Sequence, residues 1–195
     1  MPNANVAFGL MPVRNAHTTG YGPALREYYV PASDATALFI GDPVIVAGSA
    51  QADLTAATVT RASAAGGARI TGVVIGFRPT DAIIATGFRA ASTEAWVLVE
   101  DNPMTLFEIQ EDSVGGALAA VDIGLNADLI AAAGNTFTRR SGFMLDTSTK
   151  ATTATLQLRI MGIRNRADNE VGDFAKVLVR LNLTTETPAA GSTGV

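Results

Sequence analysis

The sequence predicts an all-β protein: an antiparallel β-barrel or a jelly-roll-like sandwich, with an extended N-terminal arm and little helix. Three observations lead to this prediction. Short apolar runs rich in β-branched residues are separated by frequent Gly, Pro, Asn and Asp residues. Two segments in the C-terminal third alternate apolar and polar residues with the period of a half-buried strand. No segment has the sustained periodicity of a long amphipathic helix, so packed sheets are expected to form the core.

Residues 1–23 predict an extended arm, because proline and glycine recur there without a sustained period. A short strand is expected around residues 10–14. The apolar side chains of the arm give it a surface to bury: Val6, Phe8, Leu10 and Met11. The arm is expected to pack either on its own domain or on a neighbouring subunit, and the residues alone do not favour one outcome over the other.

The middle of the chain predicts a succession of strands. In the run LFIGDPVIV, Pro43 follows a turn, and proline suits the first residue of a strand or an edge because it lacks the amide proton of a ladder. Residues 70–75 show a similar pattern of isoleucine and valine interrupted by glycine, which predicts another strand. Residues 95–100 and 104–110 predict two further strands, joined at residues 101–103 by a β-hairpin or a tight corner.

Residues 117–133 are the one helix-compatible segment, but Gly124 interrupts them, so a short helix or pieces of strand are expected. The C-terminal third is clearer. Residues 156–160 and 177–183 each present leucine, valine or isoleucine at alternate positions, with polar residues facing the other way. A polar connection, residues 163–173, joins these two predicted strands.

The chain shows no internal repeat and no linker that divides it cleanly. One β-rich domain is therefore expected over residues 24–185, in which residues 117–150 could form a long insertion. The tail, residues 186–195, is small and polar and is predicted to be flexible or lightly docked. The whole chain, at 195 residues, has the length of one domain or two small ones.

The composition excludes several function classes. The chain is 48% hydrophobic and 16% charged with a formal net charge of −4, which is typical of a folded protein and does not favour a nucleic-acid partner. It has no cysteine, so disulfides, thiolate metal sites and cysteine nucleophiles are ruled out. His17, the single histidine, is expected to be an ordinary loop residue. The sequence predicts no catalytic residues, no metal, no cofactor, no membrane span and no secretory leader.

Three acids in FEIQED, namely Glu108, Glu111 and Asp112, raise the alternative of a carboxylate active site. Strand alternation places Glu108 and Glu111 on opposite faces, so local spacing does not bring them together. The chain also lacks the aromatic platforms of a sugar site and the spacing of a calcium loop. We therefore interpret this segment as a strand. If the face of Glu108 is buried, that carboxylate needs a positive or hydrogen-bonding partner, for which an arginine is expected.

Arginines occur in two groups, Arg159, Arg164 and Arg166 near the end of a predicted strand, and the pair Arg139 and Arg140. Nearby acids offset much of this charge. A solvated loop with local ion pairs and a protein–protein contact both account for the pattern, since the planar guanidinium pairs well with carboxylates at interfaces.

Several phrases in order carry a resemblance that covers about residues 3–183. They are NANVAFGLMPVR, YYVPASDATALFIGDPVIVAGSA, ITGVVIGFRP, FEIQEDS, GLNADL, LDTSTKATTATLQLRIMGI and DNEVG. With this ordered set, the chain resembles small structural proteins of tailed bacteriophages that are encoded near the major capsid protein, the capsid cement or decoration proteins. No single motif is diagnostic; the order of the set carries the resemblance.

The resemblance implies a β-rich virion protein without catalytic residues, made in the host bacterial cytoplasm and bound to the outer surface of the phage head. Its partners would be the major capsid protein and further copies of itself, as a trimer in preference to a dimer. The expected contacts come from the arm, residues 3–14, and the polar loop, residues 163–173. They are Val6, Phe8, Leu10, Met11, Arg14, Arg164 and Arg166.

Two other functions stay open at this point. The chain could be another virion part, such as a head-fibre base, a tail-tube protein or a head–tail joining protein, and copy number separates these from a cement protein. The less favoured alternative is a β-barrel hydrolase that uses the carboxylates near Glu108.

Overall fold

The structure of the chain is a computed structural model, which describes residues 3–16, 22, 25–186 and 191–195. His17, expected to be a loop residue, lies outside the described residues. The regular secondary structure of the described chain is almost entirely β-strand, and the predicted all-β fold with little helix is confirmed.

The first half of the chain forms a closed five-stranded barrel with the strand order β2-β4-β3-β5-β6. Its strands are β2 (Leu25–Val30), β3 (Pro43–Ala50), β4 (Ala57–Arg61), β5 (Gly72–Phe77) and β6 (Ala95–Glu100). All pairings are antiparallel except a short parallel contact between β2 and β4. Pro43 is the first residue of β3, as its missing amide proton predicts.

A strand of the N-terminal segment and five strands of the second half of the chain form a six-stranded antiparallel sheet with the order β1-β7-β11-β10-β8-β9. Its strands are β1 (Met11–Asn15), β7 (Thr105–Gln110), β8 (Asn126–Ile130), β9 (Met144–Ala151), β10 (Leu158–Ile163) and β11 (Lys176–Leu181). The predicted strands of the C-terminal third are β10 and β11, which pair with each other. The sheet curls, because a parallel bridge from Glu111 to Leu145 brings the end of β7 back to β9.

The two units share apolar packing. Eight buried side chains fill the barrel, most of them valines. A larger cluster centred on the six-stranded sheet also takes in Ala62, Ile70 and Val73 from the barrel half of the chain. Because these residues are buried between the units, the barrel and the sheet stabilise each other.

The connection from β6 to β7 is a corner, not a hairpin, since β6 belongs to the barrel and β7 to the sheet. The Asn102 side chain accepts a hydrogen bond from the Met104 amide, 2.9 Å, and its carbonyl accepts one from Thr105, 3.1 Å. Of the two predicted connections, the tight corner is therefore confirmed.

The short helix α1 (Asp81–Thr86) was not predicted, whereas the segment predicted as helix or strand contains a single 3₁₀ turn, Ala120–Asp122, followed by β8. The Thr80 hydroxyl accepts a hydrogen bond from the Ile83 amide, and Gly87 ends the helix in the left-handed conformation. These capping residues are the signal that could have located it.

The N-terminal segment contacts both the six-stranded sheet and the barrel half of the chain. Gly9 and Gly41 both have positive φ and approach so closely that a Cβ on Gly9 would lie 2.4 Å from the Gly41 carbonyl oxygen. The Leu10 amide donates to that same oxygen, 3.0 Å, and β1 then pairs with β7 at the sheet edge. Only glycine at these two positions allows the segment to lie this close.

The predicted flexible tail is docked over its last described residues, 191–195. The amides of Gly191, Gly194 and Val195 donate to backbone carbonyls of the domain, and the Asn126 side chain donates to Ser192, 2.8 Å. The small side chains predicted to leave the tail loose also allow this close packing, since a Cβ on Gly191 would lie 2.5 Å from the Asn182 carbonyl oxygen.

Candidate functional site

A groove of about 520 Å³ lies where the N-terminal segment meets the six-stranded sheet and the loop between β10 and β11. We call it the N-terminal groove, and we call the connection between the two strands loop 164–175. The apolar part of the lining is Ala4, Val6, Phe8, Met11 and Ala167. The charged part is Glu108, Arg140, Arg166, Asp168, Glu170 and Lys176. A concave surface of this size that mixes apolar and charged groups is typical of a binding site.

Asn3 fastens the N-terminal segment to loop 164–175. Its amide group donates to the carbonyls of Glu170, 3.0 Å, and Asp173, 2.9 Å, and its side-chain oxygen accepts from the Glu170 amide, 3.0 Å. The Val6 amide donates to the Gln110 side chain, 2.8 Å, which ties the same segment to β7. The segment and the loop are therefore one unit, although Asn3 and Glu170 are 167 positions apart in the sequence.

Glu108 is a buried carboxylate on β7 that two arginines of the loop neutralise. Arg166 lies 2.8 Å and Arg164 3.4 Å from its two oxygens. Arg166 also pairs with Asp168, 2.8 Å. The conditional prediction that a buried Glu108 needs an arginine partner is confirmed, and both partners belong to this chain.

Lys176, at the start of β11, lines the groove with only 6% of its surface exposed. Its ammonium group donates to the carbonyls of Ala4, 2.7 Å, and Phe174, 3.0 Å. Burial, together with the nearby Arg166 charge, lowers the pKa of Lys176. Strand alternation places Lys176 opposite the apolar face, as predicted, but loop 164–175 and the N-terminal segment cover it.

Arg140 lines the groove from the loop before β9 and is half-buried. Within the described part of the chain, its guanidinium pairs with no carboxylate and donates only to the Met11 sulfur, 3.1 Å. The sequence placed Arg140 in an arginine pair but gave no indication that it reaches the N-terminal segment, because more than 120 residues separate the two.

The other acids of the predicted carboxylate cluster hold the backbone in place. Glu111 accepts from the amides of Ser113, 2.7 Å, and Ala175, 3.2 Å, and burial raises its pKa. Asp112 accepts from the amide and hydroxyl of Thr147, at 3.1 and 2.8 Å. These contacts join β7 to β9 and to loop 164–175, so both carboxylates stabilise the fold.

The groove brings together four of the seven predicted contact residues, Val6, Phe8, Met11 and Arg166. Arg164 lies beside it, bound to Glu108, and Arg14 is exposed on β1. Leu10 is a correction: it is fully buried in the chain's own core, so its side chain is not available to a partner. The described residues of the arm contact their own domain, and their packing on a neighbouring subunit stays a prediction.

Within the described ranges, no group of three or more histidine, aspartate or glutamate side chains is arranged to hold a metal ion. None of the helices described there has the length and apolar character needed to cross a membrane.

Comparisons with protein-family models, with curated proteins and with solved structures find no match for this chain.

Proposed function

We propose that the chain is a virion structural protein, a capsid cement protein that binds the outside of an icosahedral phage head and bridges subunits of the major capsid protein. The observation that carries the proposal is the convergence of Val6, Phe8, Met11 and Arg166, chosen from the sequence as contacts, in one groove. The ordered resemblance over residues 3–183 supplies the class of partner.

A cement protein stabilises by mass action. It binds the assembled shell and not the free subunit, so its binding free energy adds to that of the shell. A closed homo-oligomer, in first place a trimer, engages several subunits at once, which multiplies weak contacts through effective concentration. Contacts burying about 1,600 Å² with aromatic, methionine and arginine side chains at the centre are sufficient for a stable complex.

A structural role is favoured over a hydrolytic one by the state of the carboxylates. Glu108 has two arginine partners and Glu111 holds two backbone amides, so neither is placed to exchange protons with a substrate. A hydrolase would lose its activity in Glu108→Gln while remaining folded. We expect purified protein to have no such activity to lose.

The test is co-sedimentation of the purified protein with mature heads that lack it, with its ratio to the capsid protein measured. We expect hundreds of copies per head. About a dozen copies would identify a head–tail joining protein instead, and the absence of binding would overturn the proposal.

Deletion of residues 1–12 is a poor test of the arm, because it also removes Leu10 from the core and Asn3 from loop 164–175. Substitution of Val6, which is 55% exposed, by Asp leaves both in place. We expect Val6→Asp to weaken head binding, and Leu54→Asp, an exposed apolar site on the barrel, to have no effect. If heads bind as many copies of the Val6→Asp protein as of the unchanged protein, the N-terminal segment is not a contact.

A further inference from the structure

The N-terminal groove contains two cations, Arg140 and Lys176, that form no ion pair with a carboxylate of the described residues. Two of the acids in its lining are already paired: Glu108 with Arg164 and Arg166, and Asp168 with Arg166. We propose that Arg140 and Lys176 bind a carboxylate of the partner, an acidic residue flanked by apolar residues on a segment of the capsid protein. This inference rests on the proposed function.

Arg140 gives the stronger support for a bound carboxylate. A guanidinium has five N–H donors, and the described residues engage it at one position only, through the weak acceptor sulfur of Met11 at 3.1 Å. The arginines of loop 164–175, in contrast, all have carboxylate partners. A half-buried arginine without a carboxylate is available for the bidentate pairing that guanidinium and carboxylate groups form.

Lys176 supplies the second donor. Its ammonium group has three N–H bonds, of which two are used by the carbonyls of Ala4 and Phe174. No acid lies within ion-pair distance of it in the described part of the chain. Burial lowers the pKa of Lys176, and a carboxylate bound in the groove would oppose that effect by favouring the charged form.

The apolar lining indicates a polypeptide and not a small anion. Val6, Phe8 and Met11 stand beside the two cations, so an occupant that buries apolar side chains next to its carboxylate gains more than a free ion would. Phenylalanine, methionine and arginine are also the residue types enriched at the centre of protein interfaces. The net charge of −4 gives the chain no general attraction for polyanions, so the recognition is local.

The experiment compares Arg140→Glu with Arg180→Glu in titrations of labelled protein against heads that lack it. Arg180 is a matched control, because its guanidinium also faces a methionine sulfur, Met104 at 3.9 Å, has no carboxylate partner among the described residues, and does not line the groove. We expect Arg140→Glu to weaken binding at least tenfold and Arg180→Glu to change it less than twofold. Thermal unfolding of each variant shows whether it is folded.

Arg140→Gln keeps a polar side chain of similar length and decides the outcome if Arg140→Glu does not fold. We expect it to bind more weakly than the unchanged chain, with a flatter dependence of affinity on NaCl concentration, because one ion pair is missing. Unchanged binding by the Arg140 variants would overturn the inference and leave the cement function standing. Equal losses at Arg140 and Arg180 would also overturn it, and heads that fail to bind the unchanged protein would remove both proposals.

Discussion

Arg166 lies 2.8 Å from Glu108, and this pair fastens loop 164–175 to strand β7. Asn3 fastens the same loop from the other side. The position of loop 164–175 therefore depends both on Glu108 of β7 and on the N-terminal segment. The N-terminal groove lies at this junction. Its shape is therefore expected to respond to substitutions at each of the three.

Glu108→Ala removes the carboxylate that Arg164 and Arg166 share. We expect it to lower the free energy of unfolding by about 1–3 kcal/mol, between the values for exposed and buried ion pairs, because the arginines are partly exposed and the glutamate is not. Urea unfolding followed by circular dichroism measures the change. The exposed pair Arg78–Glu27 supplies the control, since Glu27→Ala should cost less than about 1 kcal/mol. Equal effects at the two sites would contradict the role of Glu108.

Arg89 is a fully buried arginine in the barrel half of the chain. It donates to the carbonyls of Pro31, 2.9 Å, Asp34, 2.7 Å, and Thr93, 2.7 Å, as well as to Thr36. Arg89→Met should lower the free energy of unfolding by about 3–5 kcal/mol, because these carbonyls lose their donors and Asp34 loses its ion-pair partner. Arg89→Lys should rescue only part of the loss, since a compact ammonium cannot reach all of them. Full stability of Arg89→Lys in thermal unfolding would contradict this account.

Asp42 gives a signed dependence of stability on pH. Burial raises its pKa, and hydrogen bonds from Ser141 and the Phe39 amide, with the charge of Arg61, offset part of the effect. The pKa of an aspartate in an unfolded chain is about 3.9. Between that pH and the raised pKa of Asp42, the folded state binds more protons than the unfolded state. The contribution of Asp42 to stability is therefore lost as the pH rises. Relative to the unchanged chain, Asp42→Asn should therefore gain stability as the pH rises above about 4.

Asp53→Asn is the control with the opposite sign. Hydrogen bonds from the Thr55 hydroxyl and amide lower the pKa of Asp53, so its contribution is present above the unfolded pKa and is lost as the pH falls. The stability of this variant relative to the unchanged chain should thus improve towards low pH. Denaturant unfolding at several pH values gives both slopes, and slopes of the same sign would refute the assignment.

Asn3→Ala should loosen loop 164–175 without removing any residue from the core. Loss of three hydrogen bonds is expected to speed amide exchange at Glu170 roughly tenfold, equivalent to about 1–2 kcal/mol of local stability. Hydrogen exchange read by mass spectrometry measures it. Asn135→Ala is the control: it removes a side chain that caps a different turn, through the amides of Phe137 and Thr138. A loop whose exchange is equally slow in Asn3→Ala would mean that Asn3 does not fasten it.

The positions of the strands follow from the sequence because their signals are local. Pro43 starts β3, the apolar positions of β10 and β11 alternate, and the turn residues lie between strands, each readable within a few residues. Alternation also correctly indicated which residues share a face. It did not indicate that the polar side chains of Lys176, at the start of β11, and Asn182, just after its end, are buried.

The groove could be predicted only in part, because it depends on contacts between residues far apart in the chain. The apolar arm residues were visible as a surface to bury, and a partner for Glu108 was expected once its burial was assumed. The contact of Arg140 with Met11 and the capture of the Glu170 backbone by Asn3 have no local signal, since their spacing is set by how the sheet folds.

The sequence by itself determined an all-β fold, an N-terminal segment with apolar residues to bury, and the lack of cysteine chemistry. Only the tertiary structure decided that this segment is fastened to its own domain, that Leu10 belongs to the core, and that Arg140 and Lys176 line the same groove. The physical reason is that periodicity and turn chemistry act over a few residues. Burial and ion pairing are decided by strands that meet only when the sheet closes.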